Sequence, residues 1–157
     1  MEGHVVTVER TIAAPASALF AIVADPARHP EIDGSGTVVR TRSGTPDRLA
    51  LGSVFGMSMK MGVPYSMSNT VIEFEPDRRI GWRTVISGPL GRFVGGRIWR
   101  YEFVPVDGGT RVTESWDISQ DKQKFFLKRG SLGSGTADAM AKTLERLATL
   151  TESGASE

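Results

Sequence analysis

Residues Trp99 to Ile118, WRYEFVPVDGGTRVTESWDI, decide the fold. Trp99, Tyr101 and Phe103 stand two apart, so in a strand they share one face while Arg100 and Glu102 point the other way. VDGGT then turns the chain, and Val112, Glu114, Trp116 and Ile118 form a second period-two row. Downstream, from about Thr136 to Thr151, the residues Ala137, Met140, Ala141, Leu144, Leu147 and Ala148 recur at helical spacing and make one apolar stripe. Such a stripe must be buried, and the aromatic face of the hairpin is what it can cover. The pairing predicts a pocket between sheet and helix.

Working outward, the segment from about His4 to Ile12 alternates and reads as a strand lying between the edge and the middle of a sheet, with its inward face undecided by pattern alone. Pro15 opens a helix whose residues Leu19, Phe20 and Val23 share a face, and which ends near Asp25-Pro26. The stretch ARHPEIDGSG is proline-broken and turn-rich, with room for at most one further helical turn. Further strands follow at about Thr37 to Thr41, Ser53 to Lys60, Tyr65 to Glu75, Arg79 to Ile86, Arg97 to Val104 and Arg111 to Ser119, divided by SGTP, MGVP, EPDR, the glycine-rich GPLGRFVGG and VDGG. Neighbours in sequence should pair antiparallel. The expected class is therefore α+β, with a seven-stranded antiparallel sheet, two short helices after the first strand and one long helix at the carboxy end. Seven strands about 4.8 Å apart span nearly 30 Å, whereas a helix with its side chains is about 10 Å across. The sheet must curl round the helix, and inward surface left uncovered becomes a cavity.

Composition narrows the partners. A chain of 157 residues, 39% of them hydrophobic, fits one domain, taken as residues 1–152, with the polar SGASE as a frayed tail over 153–157. Nineteen basic against eighteen acidic side chains leave +1, too weak a field to steer toward nucleic acid. The chain has no cysteine, which excludes disulfides and thiolate metal sites and makes a reducing, cytoplasmic setting the expectation. MEGHVVTVER lacks a basic region followed by a long apolar core, and no apolar run approaches a membrane span, so neither export nor stable insertion is expected. Neither cofactor nor metal is expected: two distant histidines make no recognisable metal site, GSLGSGT lacks a P-loop lysine, and no GxSxG elbow exists. The glycines of GSLGSGT should turn the chain into the last helix, with Ser134 or Thr136 as cap.

Four segments together resemble a known family: VERTIAAPASALFAIVADPARHPEIDG (8–34), VIEFEPDRRIGWR (71–83), YEFVPVDGGTRVTE (101–114) and MAKTLERLATL (140–150). They are similar to the START-like, or SRPBCC, superfamily, in its polyketide cyclase/dehydrase and lipid-transport branch, and they run in family order over nearly the whole chain. The resemblance implies a helix-grip fold, a sheet wrapped round a long carboxy-terminal helix with a hydrophobic tunnel between them. It further implies a small hydrophobic or amphipathic ligand such as a lipid or polyketide, a cyclase or dehydratase as the rival activity, and a protein-interaction module as a third. Many relatives carry a tryptophan after the first helices, where this chain has Ile32, so contacts near that entrance should differ. The protein is expected to be a monomer or homodimer, with transient membrane contact left open.

Candidate wall residues follow from strand parity. Trp82 and Thr84 share a face of one strand with Ile80 and Ile86; Trp99, Tyr101 and Phe103 line the next, and Trp116 the last. Phe20 and Ile32 come from the early helices, Met140 and Leu144 from the long one. Phe55, Met57, Met59 and Met61 form a methionine-rich row that Met67 extends, suited to a variable lipid or to any irregular core. All of these serve equally as plain core. Asn69 has the parity of Met67, while Ile72 and Phe74 suggest the opposite face, a conflict that a bulge would reconcile. Glu73 and Glu75 flank a turn and should meet water.

No residue is assigned as catalytic, and the candidates are Glu114, His29 and Tyr101. Glu114 has inward parity, and a buried carboxyl needs a partner or takes up a proton, so it would serve as acid or base, bond a tyrosine or a ligand hydroxyl, pair with a cation, or be turned outward by a bulge. Two titratable groups within bonding reach there would favour an enzyme, and an arginine locked to Glu114 would favour carriage. His29 and Asp33 stand four apart and would shuttle protons at the mouth, or simply face solvent in a loop. QDKQKFFLKRG reads as a short helix, with Asp121 as cap, Lys128 and Arg129 late and Gly130 as stop. Its Phe125 and Phe126 form a movable gate over the tunnel, with the lysines drawing it to a membrane face, or dock permanently on the core.

Overall fold

The computed structural model describes residues 4–34, 38–41, 48–61, 63–125 and 132–155, with side chains described at all of these except 38–41, 58–61, 63–65, 132–134 and 153–155. In chain order the elements are β1 (Val5–Ile12), α1 (Ala16–Val23), a 3-10 turn (Pro26–Arg28), α2 (His29–Ile32), β2 (Val38–Thr41), β3 (Val54–Met61), β4 (Val63–Glu75), β5 (Arg79–Ile86), a second 3-10 turn (Pro89–Arg92), β6 (Gly95–Val106), β7 (Gly109–Asp117) and α3 (Leu132–Ala155). The class is α+β: a curved antiparallel sheet with a long carboxy-terminal helix, a helix grip in broad outline. The sheet order is β1-β7-β6-β5-β4-β3-β2. β1 and β3 to β7 have eight residues or more each, whereas β2 is a four-residue edge.

From β2 to β7, neighbours in sequence do pair antiparallel. β1 and β2 do not, and stand on opposite edges. α1 and α2 intervene and carry the chain across, while β1 closes on β7, from Val5 opposite Asp117 to Ile12 opposite Thr110. β1 is thus a true edge. Its inward face is settled by this register, because residues directly opposite in an antiparallel pair share a face: Val6 meets Trp116 and Val8 meets Glu114.

Three register shifts bend the sheet, between Val38 and Arg40, between Val71 and Glu73, and between Thr84 and Val85. The second resolves the parity conflict in β4. Met67, Asn69 and Val71 face inward, Ile72 is the exposed extra residue, and Phe74 returns to the core against Phe20 with ring centroids 5.5 Å apart.

α1 begins after an extended Pro15, and beyond it the chain holds both a 3-10 turn and α2, more helix than the single turn expected. Asp25 explains the first, its carboxylate accepting from the Ala27 amide at 3.1 Å. Gly34 then lets the end of α2 close on α3. Its amide donates to Thr143 Oγ1 at 2.9 Å, and a Cβ at this position would lie 2.1 Å from the Ala139 carbonyl oxygen. α3 starts at Leu132, ahead of Thr136, so Gly133 and Gly135 lie inside the helix and neither Ser134 nor Thr136 caps it. Each glycine costs about 1 kcal/mol against alanine, a local penalty that burial of the stripe outweighs. Met140, Leu144, Leu147 and Ala148 are almost completely enclosed. At its far end α3 runs on through Ala155, past the point where composition places a frayed tail.

The outer face carries charge. Glu73, expected in water, is only half exposed. Both its oxygens accept from Arg100 Nε, at 3.0 and 2.9 Å, and Arg79 approaches at 3.6 Å. Period two places Arg100 opposite in sense to Trp99 and Tyr101, so this pair lies on the far side of the sheet from the helix.

Candidate functional site

β6 and β7 pair in a register that sets Tyr101 opposite Glu114 and Trp99 opposite Trp116, all four on the face toward α3. On the other side of β7, Glu114 is opposite Val8. The carboxyl is therefore embedded in hydrocarbon, with 2% of its surface exposed. Neither a bulge nor a cation accounts for it, since β7 keeps regular register with both neighbours and no described basic residue pairs with Glu114. Its partner is Tyr101, whose hydroxyl donates to Oε1 at 2.9 Å. Oε2 is buried with no partner among the described residues.

Burial governs the proton. Removal from water pushes the Glu114 carboxyl up to about 8; the Tyr101 hydrogen bond works in the opposite sense, and the negative charge of Asp33 adds to the rise. Tyr101 is raised well above the usual phenol range, first by burial, then by the charge of Glu114 and the hydrogen bond to it. Near neutral pH Glu114 is thus a neutral acid. With Oε1 accepting from Tyr101, its own hydrogen is free to be donated from Oε2.

Two residues along the same face, Trp116 is 3% exposed, and its indole nitrogen is likewise buried without a partner among the described residues. The ring packs with Val6, Ile118 and Met140, and stands 6.1 Å from Trp99. Trp99 is the exception in this row: it faces inward by register yet remains half exposed, and it touches both apolar clusters of the core.

Beside this pair lies an aromatic group. His29 stacks on Trp82 at 5.2 Å, Phe55 meets both edge-on at 5.5 and 5.4 Å, and Trp82 reaches Tyr101 at 5.8 Å. His29 is not in a solvent-facing loop: it is 5% exposed, and its Nε2 donates to the Val23 carbonyl at 2.7 Å. Burial pulls its pKa down, against the Val23 hydrogen bond and the charges of Asp25 and Asp33. The sequence shows only a histidine among prolines and an aspartate; that α2 folds inward onto Trp82 is a tertiary outcome. Asp33 acts through its field on His29, Tyr101 and Glu114 alike.

The other candidates divide by location. Phe20, Ile32, Phe55, Phe103, Met140 and Leu144 are enclosed in the core, as are Met57 and Met67 at the margin of full burial. Thr84 is occupied within the sheet, donating to Asn69 Oδ1 at 2.6 Å, while Asn69 Nδ2 donates to the Phe55 carbonyl. Phe125 is 71% exposed, so it is not docked on the core. Phe126, Lys128, Arg129 and Gly130 lie outside the described residues, as do the side chains of Met59, Met61 and Ser134. Asp121 does cap its turn, accepting from the Gln123 amide at 2.8 Å, and it also takes Arg97 Nε at 3.0 Å in a largely buried pair. That pair spans separate elements and has no signature in sequence. Among the described residues no group of three His, Asp or Glu is placed to hold a metal, and no helix is long and apolar enough to cross a membrane.

A family model described as polyketide cyclase/dehydrase and lipid transport matches residues 3–152. The uncharacterized protein Rv0088 of Mycobacterium tuberculosis is 41% identical over 143 residues, covering 87% of this chain and 59% of that protein. The chain thus spans well under two thirds of that relative's length. Among solved structures, protein Ms6760 from Mycobacterium smegmatis superposes with a TM-score of 0.72 at 18% identity, over 96% of this chain and 92% of that one. DynU16, from the dynemicin biosynthetic locus, superposes with a TM-score of 0.69 at 18% identity, over 97% of this chain and 48% of its own. At such identities the two structures speak for the fold.

Proposed function

The chain belongs to the polyketide cyclase/dehydrase and lipid-transport family, and from that premise we propose that residues 1–152 form a binding domain for one small apolar or amphipathic molecule, a lipid or polyketide-like compound, held between β6–β7 and α3. The observation that carries this reading is a pair of buried polar atoms on one face of β7, Glu114 Oε2 and Trp116 Nε1, that have no partner among the described residues. A buried polar atom without a partner costs about 1–3 kcal/mol, so native proteins keep few of them without a use. Near neutral pH both are donors: an indole N–H can only donate, and Glu114 carries its proton up to about pH 8. They suit a guest that brings oxygen acceptors, such as a carbonyl, on an otherwise apolar body lying against Trp99 and Met140. An anionic end would be opposed by the charge of Asp33, and no described cation faces Glu114 to offset it.

The test is titration with a neutral naphthylamine fluorophore. Saturable binding of one probe per chain is expected, and Trp99→Ala should weaken it about tenfold or more while leaving the circular dichroism unchanged. Absence of saturable binding would remove the binding reading, and an unaltered affinity in the variant would remove Trp99 from the wall. Native mass spectrometry of protein from its own host would identify a retained guest.

A second reading, catalysis of cyclisation or dehydration, is favoured by one feature: Tyr101 and Glu114 are two titratable groups within bonding reach. A neutral carboxylic acid next to a carbonyl guest would act as general acid. In that case Glu114→Gln should abolish turnover of a poly-keto substrate and leave probe affinity within about threefold; turnover surviving in this variant would exclude Glu114 as the acid.

A further inference from the structure

Two segments that the ligand site does not use meet at one end of the sheet. Since β5 ends where β6 begins, and Ile98 is opposite Asp117, the loop 87–94 and the segment 118–125 emerge together. They are tied to one another. Gln123 Nε2 donates to the Phe93 carbonyl at 2.8 Å, the Gly95 amide donates to Gln123 Oε1 at 2.9 Å, and the Lys122 amide donates to the Gly95 carbonyl at 2.9 Å. Gly96 makes the close approach possible, with φ +111 and no room for a side chain, because a Cβ would lie 2.6 Å from the Gln120 carbonyl. The Arg97–Asp121 pair fastens the base.

This braced frame holds large apolar side chains out in solvent. Leu90 is 60% exposed, Phe93 67% and Phe125 71%, the three most exposed large hydrophobics apart from Leu51 among the described residues. Basic side chains stand among them: Arg92 and Lys122 are exposed, and the Lys124 ammonium lies 5.4 Å from the centre of the Phe125 ring. The one acid in these two segments, Asp121, has a fully buried carboxylate already paired with Arg97. The frame therefore displays positive charge with no exposed negative charge of its own.

We propose that the loop 87–94 and the segment 118–125 form a docking edge for an anionic lipid bilayer, with Leu90, Phe93 and Phe125 entering the interface and Arg92, Lys122 and Lys124 meeting the headgroups. Separate apolar tips on two turns suit a surface that yields around each of them, and basic neighbours select anionic lipid. The proposal goes beyond ligand binding and holds whether or not the interior takes a guest.

The experiment is co-sedimentation of the full chain with vesicles of phosphatidylcholine alone and of phosphatidylcholine with phosphatidylglycerol. Binding is expected to the mixed vesicles, weaker by about tenfold or more on the neutral ones, and falling as salt is added. Leu90→Ser with Phe93→Ser should reduce partitioning about a hundredfold, and Arg92→Glu with Lys122→Glu should abolish the preference for phosphatidylglycerol. Phe125→Ser, on the other segment, is an independent check should the loop variant fold poorly. Failure of the wild-type chain to sediment with either vesicle would overturn the proposal. So would binding that survives both the loop variant and Phe125→Ser, or size-exclusion data showing a dimer that the same substitutions dissociate, which would assign the patch to a second copy of the chain.

Discussion

Urea titrations should show the protein losing on the order of 2 kcal/mol of stability between about pH 6.5 and 8, a loss that Glu114→Gln removes. The sign follows from proton counts. Glu114 keeps its proton up to about 8 in the folded chain, whereas in the unfolded chain it releases it near its ordinary value of 4.5. Between those limits the folded state holds the extra proton, so rising pH favours unfolding, by about 1.4 kcal/mol for each pH unit. His29 acts in the opposite sense. Its pKa is lowered by burial, so below its ordinary 6.5 the unfolded chain takes up the proton first and stability falls as the solution is acidified. Just below 6.5 the two slopes oppose one another; above 6.5 only that of Glu114 remains. In Glu114→Gln the amide oxygen still accepts from Tyr101, the slope above pH 6.5 disappears, and that of His29 below it is laid bare. A wild-type profile that is level from pH 6.5 to 8 would show that Glu114 ionises normally and end its role as a neutral donor.

Trp82→Ala should cost about 3–5 kcal/mol, the usual range for emptying a buried tryptophan site, and should release His29. Trp82 is 7% exposed and touches His29, Phe55 and Tyr101, so its removal opens the wall that shields the imidazole. The pKa of His29, followed by its ring proton resonances, should then climb back toward 6.5. Trp82→Phe keeps an aromatic partner for the imidazole and should keep the lowered value, which separates stacking from general loosening. A loss below about 1 kcal/mol, with no movement of the His29 titration, would mean that α2 does not depend on this contact.

The inward rows Trp99, Tyr101, Phe103 and Val112, Glu114, Trp116 were legible because a strand's period of two is a local property, and so was the stripe through Met140, Leu144 and Leu147. The long helix was placed late because Gly133 and Gly135 weigh against helix locally, while the packing that overrides them is not local. The bulge at Ile72 was legible only as a contradiction between two parities. The Arg97–Asp121 pair and the opposite-edge positions of β1 and β2 left no mark in composition or spacing.

The strands, the turn at VDGG, the covering helix and the inward direction of Glu114 were legible in the sequence, since each depends on the backbone geometry of a few adjacent residues. Assembly of distant elements is what lets Glu114 keep its proton while accepting from Tyr101, leaves Trp116 Nε1 without a partner among the described residues, and buries His29 against Trp82. Those outcomes depend on exclusion of water and on charges such as that of Asp33, brought in by elements far away along the chain, and desolvation is a property of the assembled interior that no local pattern encodes.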